Sequence, residues 1–262
     1  MKSLLQFKYI FSVILLFVLS CSEIDRDNIL DPKNNDSARE GIILVEAFVN
    51  TNSDSLVPDY NFKALAALDS LEMIYGKRFL SVQYHRDTQT YPDPLPDENG
   101  LSFQIEDLYE KYTSGSQKGV PDFFINGSVN RVQGASSTHN MIVRMQKFAS
   151  EIAEQNNYYT IEPDLNRTGT NLSGKVRVAP LGNQRSGEMV LRIVLSYNAG
   201  NDGNRSVCQI AQQISFDAIS AGEYSEKNLE IENISSRSEH ITFILTDKQG
   251  QKVLCALEEE LP

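Results

Sequence analysis

Between Gly41 and Asn156 the hydrophobic period changes at each successive segment, and this alternation limits the fold of the 262-residue chain more than any other feature. Ile42 to Val49 is a nearly continuous apolar strand. Tyr60 to Tyr75 then places Phe62, Leu65, Ala66, Leu68, Leu71 and Ile74 near helical spacing, and Phe79 to Tyr84 returns to strand character, so a βαβ unit is expected. Leu101 to Tyr112 predicts a second helix with Phe103, Leu108 and Tyr112 on related faces. Asp122 to Ile125 and Asn130 to Gln133 read as short strands parted by Asn126-Gly127, a hairpin signal. Ser136-Ser137-Thr138 supplies N-caps for a third helix running to about Gln155. The expected order is β-α-β-α-β-β-α.

From Tyr158 onward the pattern becomes all-β. Tyr158 to Glu162, Ser173 to Val178, Met189 to Tyr197, Ser206 to Phe216, Lys227 to Ile231, Ile241 to Thr246 and Lys252 to Leu257 alternate or run apolar between turns, which predicts a sandwich. Leu181-Gly182-Asn183, Ala199 to Gly203 and Lys248 to Gln251 read as hairpin turns. A composition of 40% hydrophobic and 9% aromatic residues suits packed cores. We therefore expect an α/β domain over residues 41–157 and an all-β sandwich domain over 158–262.

The amino terminus constrains location. Lys2 and Lys8 precede an apolar run, Ile10 to Leu19, too short for a permanent transmembrane helix but suited to an export signal over residues 1–20. Val18-Leu19-Ser20-Cys21 resembles the lipobox of bacterial lipoproteins, which implies cleavage before Cys21 and lipidation on it. Ser22 following Cys21 resembles lipoproteins that leave the inner membrane, so an outer-membrane location, periplasmic or surface-exposed, is expected. Residues 21–40, rich in Asp, Asn and Pro, read as an acidic flexible tether. The formal charge is −11, and loss of the two lysines of the leader would take it to about −13, which opposes contact with nucleic acid. Membrane attachment is expected through the lipid at Cys21 alone.

The motifs of the first half resemble one family. VEAFVNTNSDSLVP is similar to the strand, loop and helix start VEEFTNTGCGPCP of the twenty-eight-kilodalton outer membrane protein family, whose members carry a thioredoxin-like domain. Val82-Gln83-Tyr84-His85 resembles its second core strand, and Gly119-Val120-Pro121-Asp122-Phe123-Phe124-Ile125-Asn126-Gly127 resembles its proline-bearing strand and hairpin. The ending VLCALEEEL looks like the last strand of the family's C-terminal sandwich. The resemblance puts Ser53-Asp54-Ser55-Leu56 in the place of the Cys-x-x-Cys. A helix N-terminus there lowers a cysteine pKa, but neither Ser53 nor Leu56 exchanges disulfides, so a degenerate redox loop is implied, with Asp54 and Ser55 serving as helix caps. The resemblance also implies a cis bond at Val120-Pro121 and a groove for an extended peptide formed by Val120 and Pro121, with His85 nearby.

Other chemistry is thin. His85, His139 and His240 have no zinc-ligand spacing. Asp87, Asp93, Asp97 and Glu98 share a proline-rich loop that lacks an EF-hand register. No nucleophile elbow, phosphate loop or dinucleotide fingerprint occurs, and no cofactor or metal is expected. Cys208 and Cys255 lie in predicted strands and could form a disulfide or remain as two buried thiols. The leading expectation is a protein or peptide interaction module with an envelope partner. The alternatives are an envelope enzyme, either a residual oxidoreductase or a hydrolase using His85 with loop carboxylates, and a purely structural envelope protein.

Overall fold

A computed structural model describes residues 28–34, 38–52, 58–88, 91–95, 100–113, 117–198 and 205–262. The expected leader, Cys21 and the expected degenerate redox loop of Ser53, Asp54, Ser55 and Leu56 lie outside the described residues. The first half runs β1 (Arg39–Glu40), β2 (Ile43–Val49), α1 (Pro58–Tyr75), a 3-10 turn at Gly76–Arg78, β3 (Phe79–His85), α2 (Leu101–Thr113), β4 (Asp122–Ile125), β5 (Arg131–Gln133), α3 (Thr138–Ala153) and β6 (Asn156–Asn157). After the short β1 strand, this is the expected β-α-β-α-β-β-α order. Ser137 caps α3 by accepting the Asn140 amide at 3.1 Å. The second half is entirely strand: β7 (Tyr159–Thr168), β8 (Asn171–Pro180), β9 (Met189–Asn198), β10 (Arg205–Phe216), β11 (Ser225–Ile231), β12 (His240–Asp247) and β13 (Val253–Glu260).

One eight-stranded sheet runs through both halves in the order β13-β12-β9-β10-β3-β2-β4-β5. β2 and β3 are parallel and β4 is antiparallel to β2. β10 joins the second half to the first by parallel pairing at Ser206 and Gln83. A second sheet, β11-β8-β7, packs over β9, β10, β12 and β13 and buries Val176, Val178 and Leu229 against Leu191, Ile193, Phe216 and Phe243. That is the sandwich. The expected change of character near Tyr158 falls between β6 and β7, and the large sheet continues past it.

The apolar run of β2 follows from its place in the sheet. Ile43, Val45, Ala47 and Val49 face α1 and α3, while Leu44 and Phe48 face α2, so successive side chains are buried on opposite sides. Helix α2 serves both halves: Leu101, Ile105, Leu108 and Tyr112 share one core with Phe48 and Tyr84 and with Val194, Val207, Ile244 and Ala256. A clasp closes the sheet around it. Gly127 bridges to Lys252, Ser128 N donates to Gln251 O at 2.9 Å, and Val253 N donates to Asn126 O at 3.1 Å. Gly127 has φ 109°, and a Cβ there would meet the Gln251 carbonyl oxygen at 2.0 Å, so only glycine fits.

Three expectations are corrected. Phe62 and Ile74 lie on the outside of α1, 60% and 54% exposed, because the core face of that helix is Ala64, Ala67, Leu68 and Leu71. Phe103 is likewise exposed on α2. The turn at Leu181-Gly182-Asn183 closes no hairpin, since β8 pairs with β7 and β11 while β9 pairs with β10 and β12; it carries the chain from one sheet to the other. Part of the stretch expected as a flexible tether is also held: Gly182 N donates to Ile29 O at 3.1 Å, and β1 pairs with β6. The expected turn at Ala199 to Gly203 lies outside the described residues.

Candidate functional site

The strand ends where a thioredoxin-like site would lie carry two separate constructions. On the β4 side, the Val120-Pro121 bond is cis, Pro121 is buried and Val120 is half-buried. Asp122, fully buried, is the fixed point behind them. Tyr109 donates its hydroxyl to Asp122 Oδ2 at 2.7 Å and accepts the Gly119 amide at 2.9 Å. Arg131 donates from Nε to both Asp122 oxygens, at 2.9 and 3.0 Å, and from Nη2 to Oδ2 at 2.6 Å and to Gln117 O at 2.5 Å. Burial pushes the Tyr109 hydroxyl up to about 12, with Gly119 opposing and Asp122 adding to the rise, so Tyr109 stays protonated and donating. Pro121 O accepts from Gly134 N at 2.9 Å. The Val120 amide and carbonyl make no hydrogen bond among the described residues.

On the β3 side, His85 does not join this groove. β2 lies between β3 and β4, so two strand spacings, about 10 Å, separate His85 from Pro121. Its ring is committed elsewhere: Nδ1 lies 3.3 Å from Asp93 Oδ2 and Nε2 lies 3.1 Å from Ser206 Oγ, on β10. Asp93 also accepts from the Thr51 amide at 2.8 Å and from Leu95 N at 3.0 Å. Burial alone would raise the Asp93 carboxyl; the hydrogen bond and charge of His85, with the Leu95 and Thr51 amides, outweigh it and hold it below its ordinary value. Asn50 continues the tie by donating Nδ2 to Arg86 O and Tyr91 O, each at 2.9 Å.

This arrangement has the connectivity of a Ser-His-Asp relay. Its access is another matter: Ser206 is fully buried, and the adjoining cavity, lined by His85, Asp93, Leu95, Leu101, Tyr197 and Arg237 among others, measures about 20 Å³. That volume suits about one water molecule.

A third cluster was not anticipated from the sequence. Glu46, fully buried on β2, accepts from Tyr84 OH at 2.9 Å, from Tyr112 OH at 2.5 Å and from Arg192 Nη2, which also donates to the Tyr112 oxygen at 3.0 Å. Burial works against the Arg192 charge, but the Glu46 carboxylate, with Tyr112 and Tyr84, holds its pKa well above the ordinary value. Burial, reinforced by Glu46, also keeps Tyr84 and Tyr112 protonated. The one sequence signal was a lone carboxylate inside an apolar strand, which demands a buried partner. The arrangement is an ion pair between the two halves, sealed under α2.

The cysteine alternatives resolve by topology. Cys208 on β10 and Cys255 on β13 lie three strand spacings apart, about 14 Å, which exceeds disulfide reach. Neither is in a disulfide. Cys208 Sγ lies 3.1 Å from Ser238 Oγ, and Cys255 Sγ accepts from Asn157 Nδ2 at 3.2 Å. Burial raises the Cys255 thiol, which disfavours the reactive thiolate. Among the described residues no three His, Cys, Asp or Glu side chains converge as a metal site, and no helix is long and apolar enough to cross a membrane.

No family model matches the chain, and no curated protein matches it. Among solved structures, HBP35 of Porphyromonas gingivalis is similar with a TM-score of 0.62 at 11% identity, over 85% of this chain and 76% of that one. The likeness spans both halves and shows the fold: a mixed α/β sheet with three helices followed by antiparallel strands. β-Glucosidase 3B from Thermotoga neapolitana in complex with alpha-D-glucose has a TM-score of 0.26 at 13% identity over 39% of this chain and 16% of that one. Spo0M, a sporulation control protein from Bacillus subtilis, has a TM-score of 0.27 at 15% identity over 40% and 48%. Scores so low carry no argument about the whole molecule.

Proposed function

We propose that this chain is an exported envelope lipoprotein, anchored through Cys21, whose thioredoxin-like half is redox-inactive and holds an extended segment of a partner protein or peptide. The observation that carries the reading is the Val120 backbone beside Pro121, whose donor and acceptor have no partner among the described residues and which Tyr109, Asp122 and Arg131 fix in place. A rigid backbone segment of this kind suits β-augmentation, where main-chain hydrogen bonds supply affinity and no thiol is required. Ser53 and Leu56 stand in the two cysteine positions of the resembling loop, and Cys208 and Cys255 are buried in the sandwich.

A second reading, an envelope hydrolase, is favoured by one observation only, the Ser206-His85-Asp93 connectivity. Full burial of Ser206 and the small cavity weigh against it, because a nucleophile must reach its substrate. The test is photo-crosslinking in the native envelope from a probe at Val120, with a probe at exposed Lys147 on α3 as control. Discrete adducts from Val120 alone are expected. The same adducts from both positions, or none from Val120, would sink the groove reading.

A further inference from the structure

The outward stripe of α1 carries a feature that the Val120 groove does not use. Asp69, Glu72, Met73 and Gly76 follow one another at helical spacing on the side away from the Ala64, Ala67, Leu68 and Leu71 core. With Phe79 and Leu80 at the start of β3, Lys77, and Glu258 near the end of β13, they line an open cleft of about 950 Å³ between the two halves of the molecule. Met73 is 81% exposed, the highest value among the large hydrophobic residues described. A long, flexible, polarisable side chain left in water beside Leu80 is suited to covering by an adaptable apolar partner.

The charge in the cleft is one-sided. Of its three carboxylates Glu258 is neutralised by Arg205, which leaves Asp69 and Glu72 against Lys77. Arg205, which stands behind them, is paired with Glu258 at 3.0 Å and so is already engaged. Glu72 forms no ion pair among the described residues. Its carboxyl is raised by burial, Arg205 opposes the rise, and the neighbouring Glu258 adds to it. A bound cation would relieve that crowding. Glu259 and Glu260 extend the acidic run along β13, an edge strand of the sheet, so the surround repels an acidic partner as well.

We propose that this cleft is a docking site for a cationic amphipathic segment of another protein, whose apolar side chains cover Met73 and Leu80 while its lysines or arginines meet Glu72 and Asp69. The site is separate from the Val120 groove. It lies at the Phe79 end of β3, whereas Val120 lies beyond the Val49 end of β2, and seven-residue parallel strands place these ends about 20 Å apart. The proposal therefore stands or falls independently of the reading at Val120.

The test uses the full mature chain and two synthetic peptides, one of leucine and lysine at helical spacing and its leucine and glutamate counterpart, titrated by fluorescence anisotropy. Saturable binding of the lysine peptide alone, weakening with salt, is expected. Met73→Ser and Glu72→Gln should each weaken it by about three- to tenfold, both positions being accessible enough for the fold to survive. Phe103→Ser, which removes a side chain 79% exposed on α2, should leave it unchanged. No saturable binding, equal binding of the two peptides, or an equal loss from Phe103→Ser would overturn the proposal.

Discussion

Glu46-Arg192 and His85-Asp93-Ser206 both tie the α/β half to the sandwich half and both are largely buried, but they are held by different partners. The first lies under α2 with Arg192 5% exposed and Glu46 fully buried, and its donors are two tyrosines that burial keeps protonated. The second starts at fully buried Ser206 and ends at Asp93, which takes the amide of Thr51 on the chain leading towards Ser53. A sealed ion pair in low dielectric costs much to break and responds little to solvent. The Asp93 carboxylate is held by backbone amides at Thr51 and Leu95 as well as by His85, so the second joint is tied into the chain on both sides of it. The molecule therefore has one joint sealed under α2 and one tied to the chain at Thr51, at the end of β2.

The comparison can be broken most severely at the sealed joint. Arg192→Ala removes the cation buried against Glu46, and urea unfolding should show a loss of about 3–5 kcal/mol. Pairing it with Glu46→Leu should recover much of that loss, giving a coupling energy of about 2 kcal/mol or more in the double-mutant cycle. Additive losses would mean that the two residues do not act as a pair. At the second joint, Asp93→Asn should cost about 1–3 kcal/mol at pH 7. The folded Asp93 pKa is depressed, so its contribution is present above the unfolded value near 4 and is lost as pH falls through the folded one. Unfolding measured from pH 6 down to pH 3 should show less acid destabilisation in Asp93→Asn than in the parent; equal slopes would contradict the assignment.

Smaller effects sharpen the contrast. Ser206→Ala removes one hydrogen bond to His85 and should cost about 1 kcal/mol. On the exposed face of the small sheet, Lys175 and Arg177 pair with Glu226 at 2.7 Å each. Glu226→Gln there should leave the urea midpoint nearly unchanged, as solvent-exposed pairs do. Were Glu226→Gln to cost as much as Arg192→Ala, burial would not be what gives the sealed joint its weight.

Most of the order of elements was legible because each has its own period. β2 was readable as a strand from its apolar run, and the reason for the run is a neighbour on each face. The outward face of α1 was not readable. Phe62 and Ile74 obey helical spacing, yet Ala64 and Ala67 form the core side, where small residues let α1 lie close to α3. The cis Val120-Pro121 segment was legible through its resemblance to one family. The ion pair was not, since Glu46 and Arg192 are 146 positions apart and meet across the core that the large sheet forms around α2, an arrangement no local pattern encodes. His85 was expected at the groove from its place at a strand end; what directs it away is Ser206 on that same unforeseen neighbour.

The central claim is that the thioredoxin frame is kept here without its chemistry, and the most direct measurement is reduction of insulin disulfides by the soluble mature chain with dithiothreitol. The account predicts a rate equal to that with dithiothreitol alone, unchanged by Cys208→Ala or Cys255→Ala. Catalysed reduction that either substitution abolishes would contradict it.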